Sequence, residues 1–188
     1  MCLTCLLKSE EATRAADHMI VRENLLRTAG AHFSDDWRYR YLLWRRWGGD
    51  HQTCRWLNLL MLNPSKATEE VNDPTVTRQM TRAQMLGYDG LYVTNIFALR
   101  STDPSLLYKA EDPIGSENDK YIRQTAVASA MVICAWGGTH GGLNGRSMRV
   151  RELLRGIPLH ALKIGKTGDP AHPLYQKYDL QPKPWGAA

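Results

Sequence analysis

Four short apolar runs, at residues 56–62, 91–95, 131–136 and 159–164, alternate with stretches of helical pattern, and no other feature of the chain constrains its fold as much. A run too short for a core helix and apolar at nearly every position reads as a strand buried on both faces. After the first run, Asp73-Pro74 opens a helix with Pro74 at its first position. Val76, Met80, Ala83 and Met85-Leu86 give that helix its apolar stripe, and Gly87 stops it. Further helical segments are expected near 105–109, at about 116–129 and at about 146–155. Parallel strands need such crossovers, so the expected fold is an α/β three-layer sandwich with a four-stranded parallel core sheet.

Residues 37–47 alternate basic and aromatic side chains in their first half and predict an added N-terminal edge strand with one wet face. Residues 1–36, charged with scattered Leu and Ala, read as an N-terminal helical extension, and residues 37–188 as a single domain. After Gly165 the tail is rich in Pro and polar residues, and irregular structure wrapping over the strand ends is expected.

With 188 residues, 43% of them hydrophobic, the chain has material for one sizeable core. A net charge of +5 fits a polyanionic partner or a phosphate-bearing substrate as well as plain solubility. No apolar run reaches the ~18 residues of a membrane span, and the start lacks signal-peptide character, so a cytoplasmic protein with no membrane partner is expected. Cys54 and Cys134 sit in or beside apolar runs and read as buried thiols. Cys2 and Cys5 form a Cys-x-x-Cys pair with no second pair at zinc-site spacing, so neither metal nor cofactor is expected.

In an open α/β sheet, polar residues at the carboxyl ends of parallel strands converge on one crevice. Asn63-Pro64-Ser65 follows the first run and Asn95 ends the second, with Arg100 in the next loop. The glycine-rich turn from Gly137 follows the third, and Lys166 and His172 follow the fourth. An Asn amide offers a donor and an acceptor to hold water or read a base edge, and a guanidinium holds phosphate. Asn-Pro is equally a common turn opener, a lone His is more often structural than catalytic, and the glycine-rich turn reads as readily as a loop over a cleft. Asp73, Asp103, Asp112 and Asp119 stand beside Pro or Asn, where turn and cap chemistry is ordinary.

Met61-Leu62-Asn63-Pro64-Ser65, Asn72-Asp73-Pro74-Thr75, the segment 93–104, Asp112-Pro113-Ile114-Gly115, Asn118-Asp119 and His172-Pro173-Leu174-Tyr175 together resemble the family called domain of unknown function 1643. More distantly, Leu60-Met61-Leu62-Asn63-Pro64 is similar to the first motif of mismatch-specific and single-strand-selective uracil-DNA glycosylases. Tyr92-Val93-Thr94-Asn95-Ile96 resembles the second-strand segment of the thermophilic uracil glycosylases, and His172-Pro173 their late His-Pro motif. This resemblance implies a uracil-DNA-glycosylase-like fold and a DNA-repair or base-modification enzyme that hydrolyses the N-glycosidic bond of a base in single- or double-stranded DNA, modified bases included. Asn63 would position water, Asn95 would read the pyrimidine edge, and His172 would stabilise the departing base. Pro64, Ser65, Arg100, Gly137 and Lys166 would line the substrate site, with Arg78 and Arg146 as further phosphate contacts. Two alternatives stay open: a non-catalytic nucleic-acid-binding module on the same fold, and an enzyme acting on free nucleosides or nucleotides.

Overall fold

The computed structural model of the protein describes residues 19–186. A single eight-stranded sheet has the order β1-β2-β3-β5-β4-β6-β7-β8. Its strands are β1 (Ile20–Glu23), β2 (Ala29–Phe33), β3 (Arg40–Arg46), β4 (Trp56–Met61), β5 (Gly90–Asn95), β6 (Met131–Cys134), β7 (Leu159–Ala161) and β8 (Lys183–Pro184). β4 pairs in parallel with both β5 and β6, and β6 in parallel with β7. The outer strands are antiparallel: β1 with β2, β2 with β3, β3 with β5, and β8 with β7.

Helix α1 (Pro74–Met85) covers one face, where Val76 and Ala83 meet Leu57, Leu59 and Met61 of β4 and Leu91 and Val93 of β5. Helices α2 (Asn118–Ala128) and α3 (Arg146–Leu153) cover the other, where Ile122, Ala126, Val150 and Leu154 meet Leu60, Val132 and Cys134. The even and odd residues of β4 thus enter different halves of the core, as the period of two requires. Local chemistry sets the ends of α1. The Asp73 carboxylate accepts from the Val76 N–H at 2.8 Å, and past the C-cap residue Leu86 the chain turns at Gly87 with φ +77°.

Three expectations are corrected. Residues 20–23 and 29–33, assigned to a helical extension, are strands; residues 1–18 lie outside the described residues, as do Cys2 and Cys5. The strand at 40–46 is not at the edge, because β1 and β2 lie beyond it, and it has no wet face. Its alternation misleads because Arg40 and Arg45, which look solvent-facing, are 2% and 5% exposed. They are tolerated inside because their guanidinium groups donate to backbone oxygens. The pairing of β2 with β3 shifts register between His32 and Phe33, leaving Phe33 opposite Arg40. The tail after Gly165 is largely irregular, as its composition predicts, but ends in β8, whose two residues carry no strand signature.

Candidate functional site at the strand carboxyl ends

β4 lies between the strand that follows it in sequence, β5, and the strand after that, β6, so strand order reverses direction there. Ligand crevices in open α/β sheets form at the carboxyl ends beside such a switch point. The loops leaving β4 and β6 carry Asn63-Pro64-Ser65 and Gly137, with Asn63 and Gly137 within three residues of the strand ends.

The loop after β4 is fixed from two sides. From β3, Arg40 Nη1 donates to the Ala67 carbonyl at 2.6 Å, while Arg45 donates from Nε to Asn72 Oδ1 at 2.8 Å and from Nη2 to the Thr68 carbonyl. From the loop after β5, the Ser101 N–H donates to the Pro64 carbonyl at 2.9 Å. Asn63 itself donates from Nδ2 to the Ser101 carbonyl at 2.8 Å and to the Pro64 carbonyl at 3.2 Å. Its amide nitrogen is therefore committed to tying two loops together, and Oδ1 is the end that remains for a ligand. Pro64 is buried and Ser65 half-buried in this loop.

Asn95 is 2% exposed, and its carboxamide oxygen has no hydrogen-bond partner among the described residues. A buried acceptor left unpaired costs about 1–3 kcal/mol, which makes such a group a natural place for a ligand N–H. The Asn95 carbonyl is held separately by Asn118 Nδ2, which donates to it at 3.0 Å and to the Ile96 carbonyl at 3.1 Å. Arg100 turns away toward the β2–β3 connection. Its Nη1 donates to the Trp37 carbonyl at 3.0 Å, and its guanidinium lies 5.0 Å from the centre of the Phe33 ring.

His172 sits beside Gly137. The Gly137 N–H donates to the Pro170 carbonyl at 2.8 Å, and a Cβ on Gly137 would lie 3.8 Å from the His172 Cβ. Two of the glycines that follow are packing positions. A Cβ on Gly138 would strike the Thr167 hydroxyl at 2.4 Å and one on Gly141 the Trp136 ring at 2.5 Å, whereas one on Gly142 would meet nothing within 4 Å. The Leu174 N–H donates to His172 Nδ1 at 3.4 Å, which places the proton of the neutral ring on Nε2. Burial pushes the His172 pKa below its ordinary value, and the charge of Asp73 opposes that shift. Lys166 is exposed in the neighbouring loop.

Helix α1 holds the His172 segment in place. Arg78 and Arg82 both donate to the Gln176 carbonyl, at 2.8 and 2.9 Å, and Gln79 donates to the Pro173 carbonyl at 3.4 Å. Arg78 also stacks 4.1 Å from the centre of the Tyr178 ring. Arg78 is thus structural rather than a phosphate contact. So is Arg146, which is 1% exposed, donates to the Ile96 carbonyl at 2.6 Å and pairs with Asp119 at 2.5 Å. Asp73, Asp103 and Asp112 accept from backbone N–H groups in caps and turns.

Arg40 is the residue that sequence reasoning missed. Burial lowers its pKa to about 9, with the charge of Asp73 opposing the shift and those of Arg100 and Arg45 adding to it. Asp73 thus lies within electrostatic reach of both Arg40 and His172, so one carboxylate couples β3 to the late His-Pro segment. Arg40 Nε has no partner among the described residues. The only sequence signal for it was an arginine inside an aromatic run, which also describes a wet strand face. Cys54 and Cys134 are buried free thiols, Cys54 pushed up to about 12 by desolvation, and neither is poised for nucleophilic chemistry. Among the described residues no cluster of His, Cys, Asp or Glu has the makings of a metal site, and no helix is long and apolar enough to cross a membrane.

Compared with curated proteins and with solved structures, the chain matches none. The model of one family, whose description reads protein of unknown function (DUF1643), matches residues 40–174, a stretch that runs from Arg40 itself to two residues past His172. The chain therefore belongs to the DUF1643 family.

Proposed function

We propose that the protein is an N-glycosidic hydrolase acting on a base in DNA, on a fold of the uracil-DNA glycosylase kind. The observation that carries this reading is the buried, unpaired carboxamide oxygen of Asn95 at the end of a central strand, an acceptor that an N–H from the edge of a base would satisfy. The parallel strands β5, β4, β6 and β7 and the switch point at β4 and β6 support it.

In glycosidic cleavage the sugar develops cationic character and the leaving base becomes anionic, so fixed dipoles aimed at the developing charges supply most of the catalysis. A neutral His172, kept so by burial, donates its Nε2 proton as a hydrogen bond to the anionic base without first giving up a charge to solvent. Asn63 Oδ1 is the acceptor available to orient a water, its position fixed by the two carbonyls that hold Nδ2.

The test is mass-spectrometric detection of free bases after incubation with single- and double-stranded DNA carrying uracil or modified pyrimidines. We expect release from the wild type, a fall of about 10²-fold or more in His172→Ala, and a comparable fall in Asn95→Ala. No release from any of these DNAs would overturn the proposal. A second reading, a binding module that kept the fold without the chemistry, is favoured by the structural use of Asn63 Nδ2. It predicts salt-sensitive DNA binding with no base released and no effect of His172→Ala.

A further inference from the structure

Beyond the strand-end site, a groove of about 640 Å³ runs between the segment 161–164, which leaves β7, and the segment 175–180. Its charged lining is entirely basic among the described residues: Lys163, Lys177 and Lys183, all exposed. Tyr175 stands in it 87% exposed and Ile164 52% exposed, an unusual display of large apolar side chains beside three lysines. Asp179, the nearest carboxylate in sequence, lies outside that lining and within electrostatic reach of Arg82 on α1.

The backbone beneath Tyr175 is held firmly. The Ala171 N–H donates to the Lys163 carbonyl at 2.8 Å, joining the first wall to the segment that leads to Tyr175. Gln176 donates from Nε2 to the His172 carbonyl at 3.2 Å, and the Gln176 carbonyl receives Arg78 and Arg82. Tyr175 therefore projects from a fixed platform three residues after His172. A ring held out in solvent among cations matches the chemistry of single-stranded nucleic acid, whose phosphates meet lysines while an unstacked base lies on the aromatic face. Duplex DNA offers no free base face at its flank, so the exposed ring would be wasted on it.

Resting on the hydrolase reading for its link to the catalytic site, we propose that this groove binds a single-stranded nucleic acid, with Tyr175 stacking one base and Lys163, Lys177 and Lys183 contacting the phosphates on the path to His172. The test is fluorescence anisotropy with labelled oligothymidylate and with a labelled duplex of equal length, across a salt series. We expect tighter binding of the single strand, a loss of about tenfold or more in Tyr175→Ala, and affinity within about twofold of wild type in Tyr175→Phe, which keeps the ring. Replacing all three lysines by Gln should flatten the salt dependence by about two in slope. Because these side chains are exposed, the variants should melt with the wild type, which separates lost binding from lost folding. Equal binding by Tyr175→Ala and wild type, or equal affinity for duplex and single strand, would overturn the proposal. Base release is read separately: Tyr175-dependent binding without release overturns the hydrolase and leaves the groove, and release indifferent to Tyr175→Ala does the reverse.

Discussion

His32 shows how far one buried side chain departs from its sequence appearance. It lies in β2, 7% exposed, with Nδ1 3.0 Å from the Tyr121 hydroxyl, and desolvation lowers its pKa from 6.5 to about 4. The unfolded chain takes up a proton near pH 6.5 that the folded chain refuses until about pH 4. Folding stability is therefore full above pH 6.5 and falls as the pH drops from there toward 4, by on the order of 3 kcal/mol. Urea titrations at stepped pH should show that loss in the wild type and a flatter profile in His32→Gln; parallel profiles would refute the assignment. Arg40, Asn95 and His172 share this trait of polar groups carried into poor solvent. Asn95 and His172 were visible in the sequence because each follows an apolar run. Arg40 was not, because burial of a charge depends on the carbonyl it reaches, and Ala67 is 27 residues away.

Elements whose signals are local were readable. β4, β5 and β6 are continuous apolar runs because both faces are covered, and α1 carries its own stop and start in Gly87 and Asp73. β1 and β2 were not, since Ile20-Val21-Arg22-Glu23 and Ala29-Gly30-Ala31-His32-Phe33 have neither an apolar run nor clean alternation, and their structure comes from pairing, β2 with β3 and β1 with β2. Gly30 belongs there because a Cβ would lie 2.6 Å from the Trp44 ring on the neighbouring strand. The loop after β4 is likewise ordered from outside, by the arginines of β3. Arg45→Met removes the donors to the Thr68 and Trp44 carbonyls and to Asn72. It should cost about 1–3 kcal/mol in urea unfolding and speed amide hydrogen exchange across residues 63–73. Unchanged exchange in that loop would show that the clamp is unnecessary.

At the scale of the molecule, the β7 end of the sheet is closed by a sequence-distant partner, β8. Trp185 is 8% exposed, donates from Nε1 to the Gly168 carbonyl at 3.1 Å, packs edge-on 5.2 Å from Trp136, and its backbone N–H donates to the Leu159 carbonyl. It fastens the returning tail, and with it both walls of the basic groove, to β7. Trp185→Ala should cost about 3–5 kcal/mol, read from the urea midpoint, with Trp185→Phe recovering part of it. A change below about 1 kcal/mol would mean that the tail is held elsewhere.

By itself the sequence determined the alternation of buried strands and helices, the ends of α1, and the positions at which polar residues leave the strands, because each depends on residues within a turn or two of one another. Tertiary structure alone decided that β3 is internal, that Arg40 and Arg45 point inward, and that Asp73 acts on both Arg40 and His172. It also decided that Arg78 and Arg146 serve the backbone rather than a ligand. These outcomes depend on which carbonyl or carboxylate lies across a gap between segments up to about 100 residues apart, and no local pattern encodes that distance.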